Sequence, residues 1–348
     1  AHTARLQAQL CKHDAAAVHH MSTDRTTPRL LALAAPLMVK TLHYAFCTIA
    51  ARRRRKLVVD TLKALPGSAL YDDGRLADVL GPRDVTDLHV VFDFDRTLTA
   101  HDAPQCHDPL LRLEDESLQA ALAPYWRFSD EGGPPPCRDR PFRCWWDDVH
   151  ALLKTHGVTL KQLREAEARK PCYLRDGARE ALKALVSLKV PTTVVSAGLE
   201  HVIVGVLQSE GLEAVSFLDD DLADARRPTR VRVLANRLVT NEEGTVTGAL
   251  PEEPIHAKNK KDAYARLEPW FAASATEATR LLVFGDSVGD AAVAAPVPAS
   301  SKACVGFFDP ANPWGKRAEF EAAFDCLLPH DASLKWLADH LDECNTSR

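Results

Sequence analysis

The sequence predicts an α/β protein: a Rossmann-like, mainly parallel sheet with helices on both faces, plus a small helical cap inserted after the first motif. Three observations predict it. First, apolar runs recur and end in carboxylates, hydroxyls or glycine, as in Val90-Val91-Phe92-Asp93-Phe94-Asp95, Val194-Val195-Ser196-Ala197-Gly198 and Leu281-Leu282-Val283-Phe284-Gly285-Asp286. Strands buried on both faces read as continuous apolar runs, and open α/β sheets carry ligands at the carboxyl ends of their strands. Second, segments of helical period alternate with these runs, the pattern of parallel strands joined by crossover helices. Third, the stretch from Ala100 to about Arg175 is too long for a simple connection and is expected to fold as a cap of its own.

Along the chain, Asp176 to Lys189 carries Ala181, Leu182, Leu185 and Val186 at helical spacing. A strand at 191–195 and a helix at 200–209 make one β-α step. The runs 231–239 and 245–250, joined through Asn241-Glu242-Glu243-Gly244, predict a hairpin. Asn259-Lys260-Lys261 precedes a helix-like segment at 262–267. A strand at 280–284, a helix at 289–295, strands at 303–307 and 326–328, and a helix at 332–342 complete the pattern. Glu131-Gly132-Gly133-Pro134-Pro135-Pro136 marks a loop inside the insert. The expected organisation is an N-terminal segment over 1–60, a core from 61–100 and 176–348, and a cap over 101–175.

The ends of the apolar runs carry the chemistry. Asp93 and Asp95 stand at i and i+2, with Thr97 at i+4. Two carboxylates there can hold a hard cation such as Mg²⁺ through oxygen. One can attack phosphorus while the other handles the leaving group's proton. Ser196 can donate to a phosphate oxygen, and Gly198 lets the backbone approach it. Lys260 can neutralise a phosphoryl group as a point charge. In Gly285-Asp286-Ser287-Val288-Gly289-Asp290 the glycines permit a tight turn, and Asp286 and Asp290 can complete a cation site. Taken singly, each has an ordinary alternative: a polar turn, an N-cap serine, a solvated lysine.

Taken in order, Asp-x-Asp-x-Thr, Ser, Lys and Gly-Asp-x-x-x-Asp resemble the haloacid dehalogenase-like (HAD-like) phosphohydrolases. The match is closest to the cytosolic 5′-nucleotidase III (pyrimidine 5′-nucleotidase) family. It is carried by Asp93-Phe94-Asp95-Arg96-Thr97-Leu98-Thr99, Ser196-Ala197-Gly198-Leu199, Asn241 to Gly248, Ile255-His256-Ala257-Lys258-Asn259-Lys260 and Gly285 to Asp290. The resemblance spans roughly Leu88 to Leu341 and is weak between Ala100 and Cys144.

This resemblance implies a Mg²⁺-dependent phosphomonoesterase acting on nucleoside 5′-monophosphates, pyrimidine preferred. Asp93 would be the nucleophile that forms an aspartyl-phosphate, and Asp95 the general acid and then base. Ser196 and Lys260 would hold the phosphate, with Thr97, Ala197 and Gly198 also on the substrate. Mg²⁺ would be held by Asp93, the Asp95 backbone carbonyl and Asp286, with Asp290 close by. In the family a helical cap closes over the substrate. Trp145 and Trp146, together with Tyr125 and Trp126, can stack on a base or pack the cap. His150 stands where the family carries an acidic residue near the base, and Val293-Ala294 where it tends to have methionine. The alternatives are another small-molecule phosphatase or phosphotransferase of the superfamily, and a membrane-tethered binding protein without turnover.

Composition bounds the rest. A chain of 348 residues, 46% hydrophobic, is large enough for a sizeable core, and a formal charge of −5 gives no general attraction to nucleic acid or anionic membrane. Nine cysteines without a Cys-x-x-Cys pair argue for free thiols in a reducing compartment, Cys106-His107 and the Cys137/Cys144 pair included. A monomer in the cytoplasm is expected. Leu30 to Ala51, followed by Arg52-Arg53-Arg54-Arg55-Lys56, leaves membrane anchoring or mitochondrial targeting through residues 30–56 open.

Overall fold

The computed structural model describes residues 56–81, 84–131, 145–219, 229–263, 279–311 and 316–345, without the side chains of 126–131 and 345. The anchoring and targeting readings fall on residues 30–56, which apart from Lys56 lie outside the described residues. So do the proline loop at 132–136, the Trp126 side chain, Cys137, Cys144 and most of the helix expected at 262–267. Among the described residues no helix is long and apolar enough to cross a membrane.

The strands are β1 (Ala69–Leu70), β2 (Leu88–Phe92), β3 (Thr192–Leu199), β4 (Ala214–Ser216), β5 (Val231–Thr240), β6 (Val246–Leu250), β7 (Arg280–Gly285), β8 (Ser301–Phe308) and β9 (Cys326–Pro329). Their order in the sheet is β1-β9-β8-β7-β2-β3-β5-β4, with β6 paired to β5. Among the described strands only the β1–β9 and β5–β6 pairings are antiparallel. The strand of the first motif, β2, therefore lies between β3 and β7, parallel to both. The chain leaves β2 towards one side of the sheet and later returns on the other, which opens a crevice at the carboxyl ends of these three strands.

All five residues of β2 are buried. Their side chains alternate between two apolar clusters. Val90, Phe92, Val194, Leu282 and Phe284 share one with Leu182 and Leu337, from the helices Ala178–Ser187 and Lys335–Asn345. Val91, Val195, Leu281 and Val283 share the other with Phe320 and Val293. Each strand thus presents apolar side chains to helices on both faces, which is why the runs are continuous rather than alternating.

The observed elements differ from the sequence reading where tertiary contacts intervene. Strand β3 continues through Ser196 to Leu199, because Leu199 still pairs with Asn236 after a bulge. The last helix starts at Lys335, since the Ala332 carbonyl accepts Arg175 rather than a helical amide. The expected helix at 289–295 is a short one, Val288–Ala291, followed by the 3-10 turn Ala292–Ala294. Strands β1 and β4 and the helix Asp73–Leu80 carry too few residues to show a period.

Between β2 and β3 the chain forms the helices Glu116–Glu131, Trp145–Thr155 and Leu160–Arg169. Thr159 starts the last with a reciprocal capping box to Gln162. This segment docks on the β5–β6 hairpin: Leu160 N donates to Gly244 O at 3.0 Å and Val246 N to Val158 O at 2.8 Å.

Candidate active site

Asp93 follows β2 directly, and its amide donates to Phe284 O of β7 at 2.9 Å. That bond fixes the end of β2 against the end of β7, so Asp93 faces Asp286 and Asp290. One carboxylate oxygen from each of the three lies within 4.8 Å of the others. The buried Lys260 ammonium donates to Asp93 and, at 2.6 Å, to Asp290 Oδ1. Asp290 Oδ2 accepts from the Asp286 amide at 3.1 Å and from the Ser287 amide and hydroxyl, each at 2.8 Å. Both Asp290 oxygens are therefore engaged, one on Lys260 and one on the turn that carries Asp286. A Cβ at Gly285 would lie 2.2 Å from Asp290 Cβ, so glycine there serves close approach rather than turn geometry.

The loop that presents Lys260 is braced by two asparagines. Asn236 Nδ2 donates to Ala197 O at 2.7 Å and Ile255 O at 2.9 Å, and its Oδ1 accepts from Ile255 N at 2.8 Å. Asn259 accepts from His256 N at 2.7 Å and donates to Pro254 O at 2.9 Å. Strand β3 and the lysine loop are thus held as one unit.

Three carboxylates and one ammonium in a buried site leave excess negative charge. Burial raises the Asp93 pKa well above the carboxylate range; Lys260 opposes this, while Asp290 and Asp286 add to it. Asp286 keeps part of its residue surface open, but its carboxylate sits deep enough for desolvation, then Asp290, to push it up to about 7. Burial alone would lower Lys260, but Asp290 and Asp93 outweigh it and hold the ammonium charged. Crowded hard oxygen donors of this kind fit a divalent cation such as Mg²⁺.

Asp95 is held from the segment after the motif. The Cys106 amide donates to its Oδ1 at 2.8 Å and the Cys106 thiol to its Oδ2 at 2.9 Å. The same sulfur lies 4.0 Å from Ser196 Oγ. A Cβ at Gly198 would come within 1.8 Å of it, so this glycine makes room for Cys106. The Gly198 amide donates to Ser196 Oγ at 3.1 Å, which occupies the N–H that the sequence reading assigned to phosphate.

A family model described as Pyrimidine 5′-nucleotidase (UMPH-1) matches residues 140–344. The chain belongs to the pyrimidine 5′-nucleotidase family. It is 25% identical over 260 residues to the 7-methylguanosine phosphate-specific 5′-nucleotidase of Gallus gallus, covering 71% of this chain and 84% of that protein. The Drosophila melanogaster protein of the same name is 28% identical over 192 residues, covering 55% of this chain and 54% of its own length. A solved structure of cytosolic 5′-nucleotidase IIIB bound to cytidine superposes with a TM-score of 0.63 at 21% identity, covering 82% of this chain and 96% of the other, which shows a shared HAD-like fold. As a member of this family the chain is an enzyme, a phosphoric monoester hydrolase of the 5′-nucleotidase type.

The remaining residues singled out in the sequence fall into two groups. Thr97 is fully buried, and its Oγ1 has no hydrogen-bond partner. Ser196 is 1% exposed, beside Cys106 and Gly198, and Ala197 is tied through its carbonyl to Asn236. Trp145, Trp146 and His150 belong to a stack in the insert: the tryptophan rings are 4.3 Å apart, and Trp146 lies 5.2 Å from His150. His107, next to Cys106, meets Trp145 and Trp146 edge-on at 6.4 and 6.3 Å. Trp146 is 1% exposed, whereas Trp145 is half-buried and packs against the same core. Desolvation lowers His150 to about 4 and keeps its imidazole neutral. Val293 is buried and packs the core.

The sequence reading missed Cys106, Asn236, Asn259 and Arg175. Arg175, also buried, donates to Thr97 O and His330 O at 2.7 Å, to Ala332 O at 2.8 Å and to Arg96 O, tying the motif loop to the C-terminal segment. Bonds to other segments reveal Cys106, Asn236 and Arg175, whereas Asn259 folds its own loop back on Pro254 and His256.

Proposed function

We propose that the chain hydrolyses nucleoside 5′-monophosphates, pyrimidine preferred, to nucleoside and phosphate through an aspartyl-phosphate on Asp93. The observation that carries this reading is the convergence of Asp93, Lys260, Asp286 and Asp290 beside an Asp95 held by Cys106. An Asp93 oxygen attacks phosphorus as the bond to the ribose oxygen breaks, and Asp95 delivers the proton to that oxygen. Asp95 then takes a proton from the water that attacks the aspartyl-phosphate, which releases phosphate and restores Asp93. Lys260 and Ser196 hold phosphate oxygens through the cycle, the Ser196 hydroxyl donating while its oxygen accepts from the Gly198 amide. Mg²⁺, held by Asp93, the Asp95 carbonyl and Asp286 with Asp290 beside it, would neutralise charge on the transferring group.

Trp145, half-buried at the end of the tryptophan stack, supports stacking on a base, one short contact chain from Asp95 through Cys106 and His107. Neutral His150, in place of an acidic residue, favours an uncharged pyrimidine over a cationic base. The names of the Gallus and Drosophila relatives favour a second reading, 7-methylguanosine monophosphate, whose cationic base would also gain from a tryptophan face.

The test is phosphate release from cytidine, uridine and 7-methylguanosine monophosphates and from ribose 5-phosphate, with and without Mg²⁺. Higher kcat/KM for the pyrimidine nucleotides supports the proposal. Preference for 7-methylguanosine monophosphate moves it to the second reading, and ribose 5-phosphate as the best substrate makes this a sugar phosphatase. Asp93→Asn should abolish turnover while circular dichroism stays unchanged. Near wild-type phosphate release by that variant would overturn the covalent route.

A further inference from the structure

The row of strand ends that carries Asp93 and Asp286 continues onto β8 and β9. There it holds a second cluster of ligating side chains that the proposed reaction does not use. Asp309 follows β8, His330 follows β9, and His101 comes just after the first-motif loop. His101 Nε2 lies 3.3 Å from Asp309 Oδ2, and His330 Nδ1 lies 3.7 Å from Asp309 Oδ1. The two imidazole rings are 4.1 Å apart and tilted by 50°. One ligand atom from each residue falls within 4.8 Å of the other two.

Two observations separate this cluster from incidental pairing of histidine with aspartate. Among the described residues, His330 Nδ1 is buried yet finds no hydrogen-bond partner, since 3.7 Å to Asp309 is too long for one. A small cavity of about 10 Å³ is lined by Arg96, His101, Asp286, Phe307, Asp309 and His330. That is roughly the volume of one water-sized sphere, enough for a single ion. The surround is also fixed in place. Arg175 binds the carbonyls of Arg96, Thr97, His330 and Ala332 and covers the Phe307 ring at 3.8 Å, so the segments bearing His101 and His330 are held from one guanidinium.

We propose that His101, Asp309 and His330 bind a borderline divalent transition ion such as Zn²⁺, at a site separate from the Asp93, Asp286 and Asp290 group. Two imidazoles and one carboxylate suit zinc and its neighbours, whereas Mg²⁺ prefers oxygen alone. The charges of Arg96 and Arg175 oppose a cation here. Arg175 is engaged by four carbonyls, and Asp309 and Asp286 supply opposite charge on the cavity wall. Asp286 borders both groups, so an ion in the second site would sit one carboxylate away from the first.

The experiment uses the full chain saturated with Mg²⁺. Zn²⁺ is titrated by calorimetry, and Co²⁺ serves as a probe through its visible absorption bands. Wild type should bind one more zinc equivalent than the His101→Ala/His330→Ala variant and show cobalt bands that this variant lacks. Asp309→Asn should weaken zinc binding by at least about tenfold, the scale on which lost ligand support acts. Asp93→Asn should leave the zinc equivalent in place, which keeps this result independent of the proposed reaction. Equal zinc stoichiometry and unchanged cobalt bands in the double variant would overturn the proposal. If the double variant does not fold, Asp309→Asn and His330→Gln decide by the same criterion.

Discussion

Glu200 opens the helix that follows Ser196 and Gly198, and its carboxylate is buried between Ser216 and Arg237. Ser216 Oγ donates to it at 2.7 Å, while Arg237 stands 3.6 Å away and also binds Asp219. Burial, opposed by Ser216 and Arg237, pushes Glu200 up to about 7. A carboxyl raised in the folded state contributes stability that is fully present below its unfolded value and is lost as pH rises through the folded one. Wild type should therefore lose stability between about pH 4.5 and 7.5 in a step that Glu200→Gln removes. The variant should gain roughly 2–3 kcal/mol relative to wild type at pH 8 and little at pH 4, read by denaturant unfolding at both pH values. Equal pH dependence in the two proteins would show that Glu200 ionises normally. Arg96 is also at odds with its local preferences: a non-glycine at φ 60°, stabilised by its amide's 2.8 Å bond to Thr99 Oγ1.

At the scale of elements, the β7 turn separates two acids of the same motif. The Asp286 carboxylate has no hydrogen-bond donor among the described residues, whereas Asp290 accepts from three groups of the turn and from Lys260. In metal-free protein, Asp290→Ala should cost about 2–3 kcal/mol, because buried donors lose their acceptor. Asp286→Asn should leave stability unchanged or higher, since it removes one of the crowded charges, yet it should raise the Mg²⁺ concentration that activity needs. Thermal unfolding without metal, paired with Mg²⁺ titration of activity, checks both. Greater destabilisation by Asp286→Asn than by Asp290→Ala would reverse the assignment of ligand and brace.

At the scale of the molecule, the insert and the core meet where Cys106 and His107 pass from Asp95 to the tryptophan stack. Trp145 is half-buried and Trp146 fully buried, so the two substitutions should part company. Trp145→Ala should raise the KM for a nucleotide by up to about a hundredfold, the scale of 1–3 kcal/mol of base stacking, and leave ribose 5-phosphate nearly unaffected. Trp146→Ala should destabilise the fold by about 3–5 kcal/mol and reduce activity on both substrates alike. Equal effects of Trp145→Ala on both substrates would mean that this ring also only packs the insert.

The sequence by itself determined the sheet and the identity of its strand-end carboxylates. Continuous apolar runs need burial on both faces, and Asp93, Asp95, Asp286 and Asp290 are joined to those runs by one to a few peptide bonds. Local periodicity and covalent adjacency carry that information. Tertiary structure alone decided how the carboxylates are held. Cys106 reaches Asp95, Asn236 joins β3 to the Lys260 loop, and Arg175 ties the motif loop to the chain beyond β9. These partners are single polar residues that no period singles out, and their bonds form only once the sheet has brought separate segments together. The same reason hid the His101, Asp309 and His330 cluster, whose members come from three segments that only the order β9-β8-β7-β2 brings together.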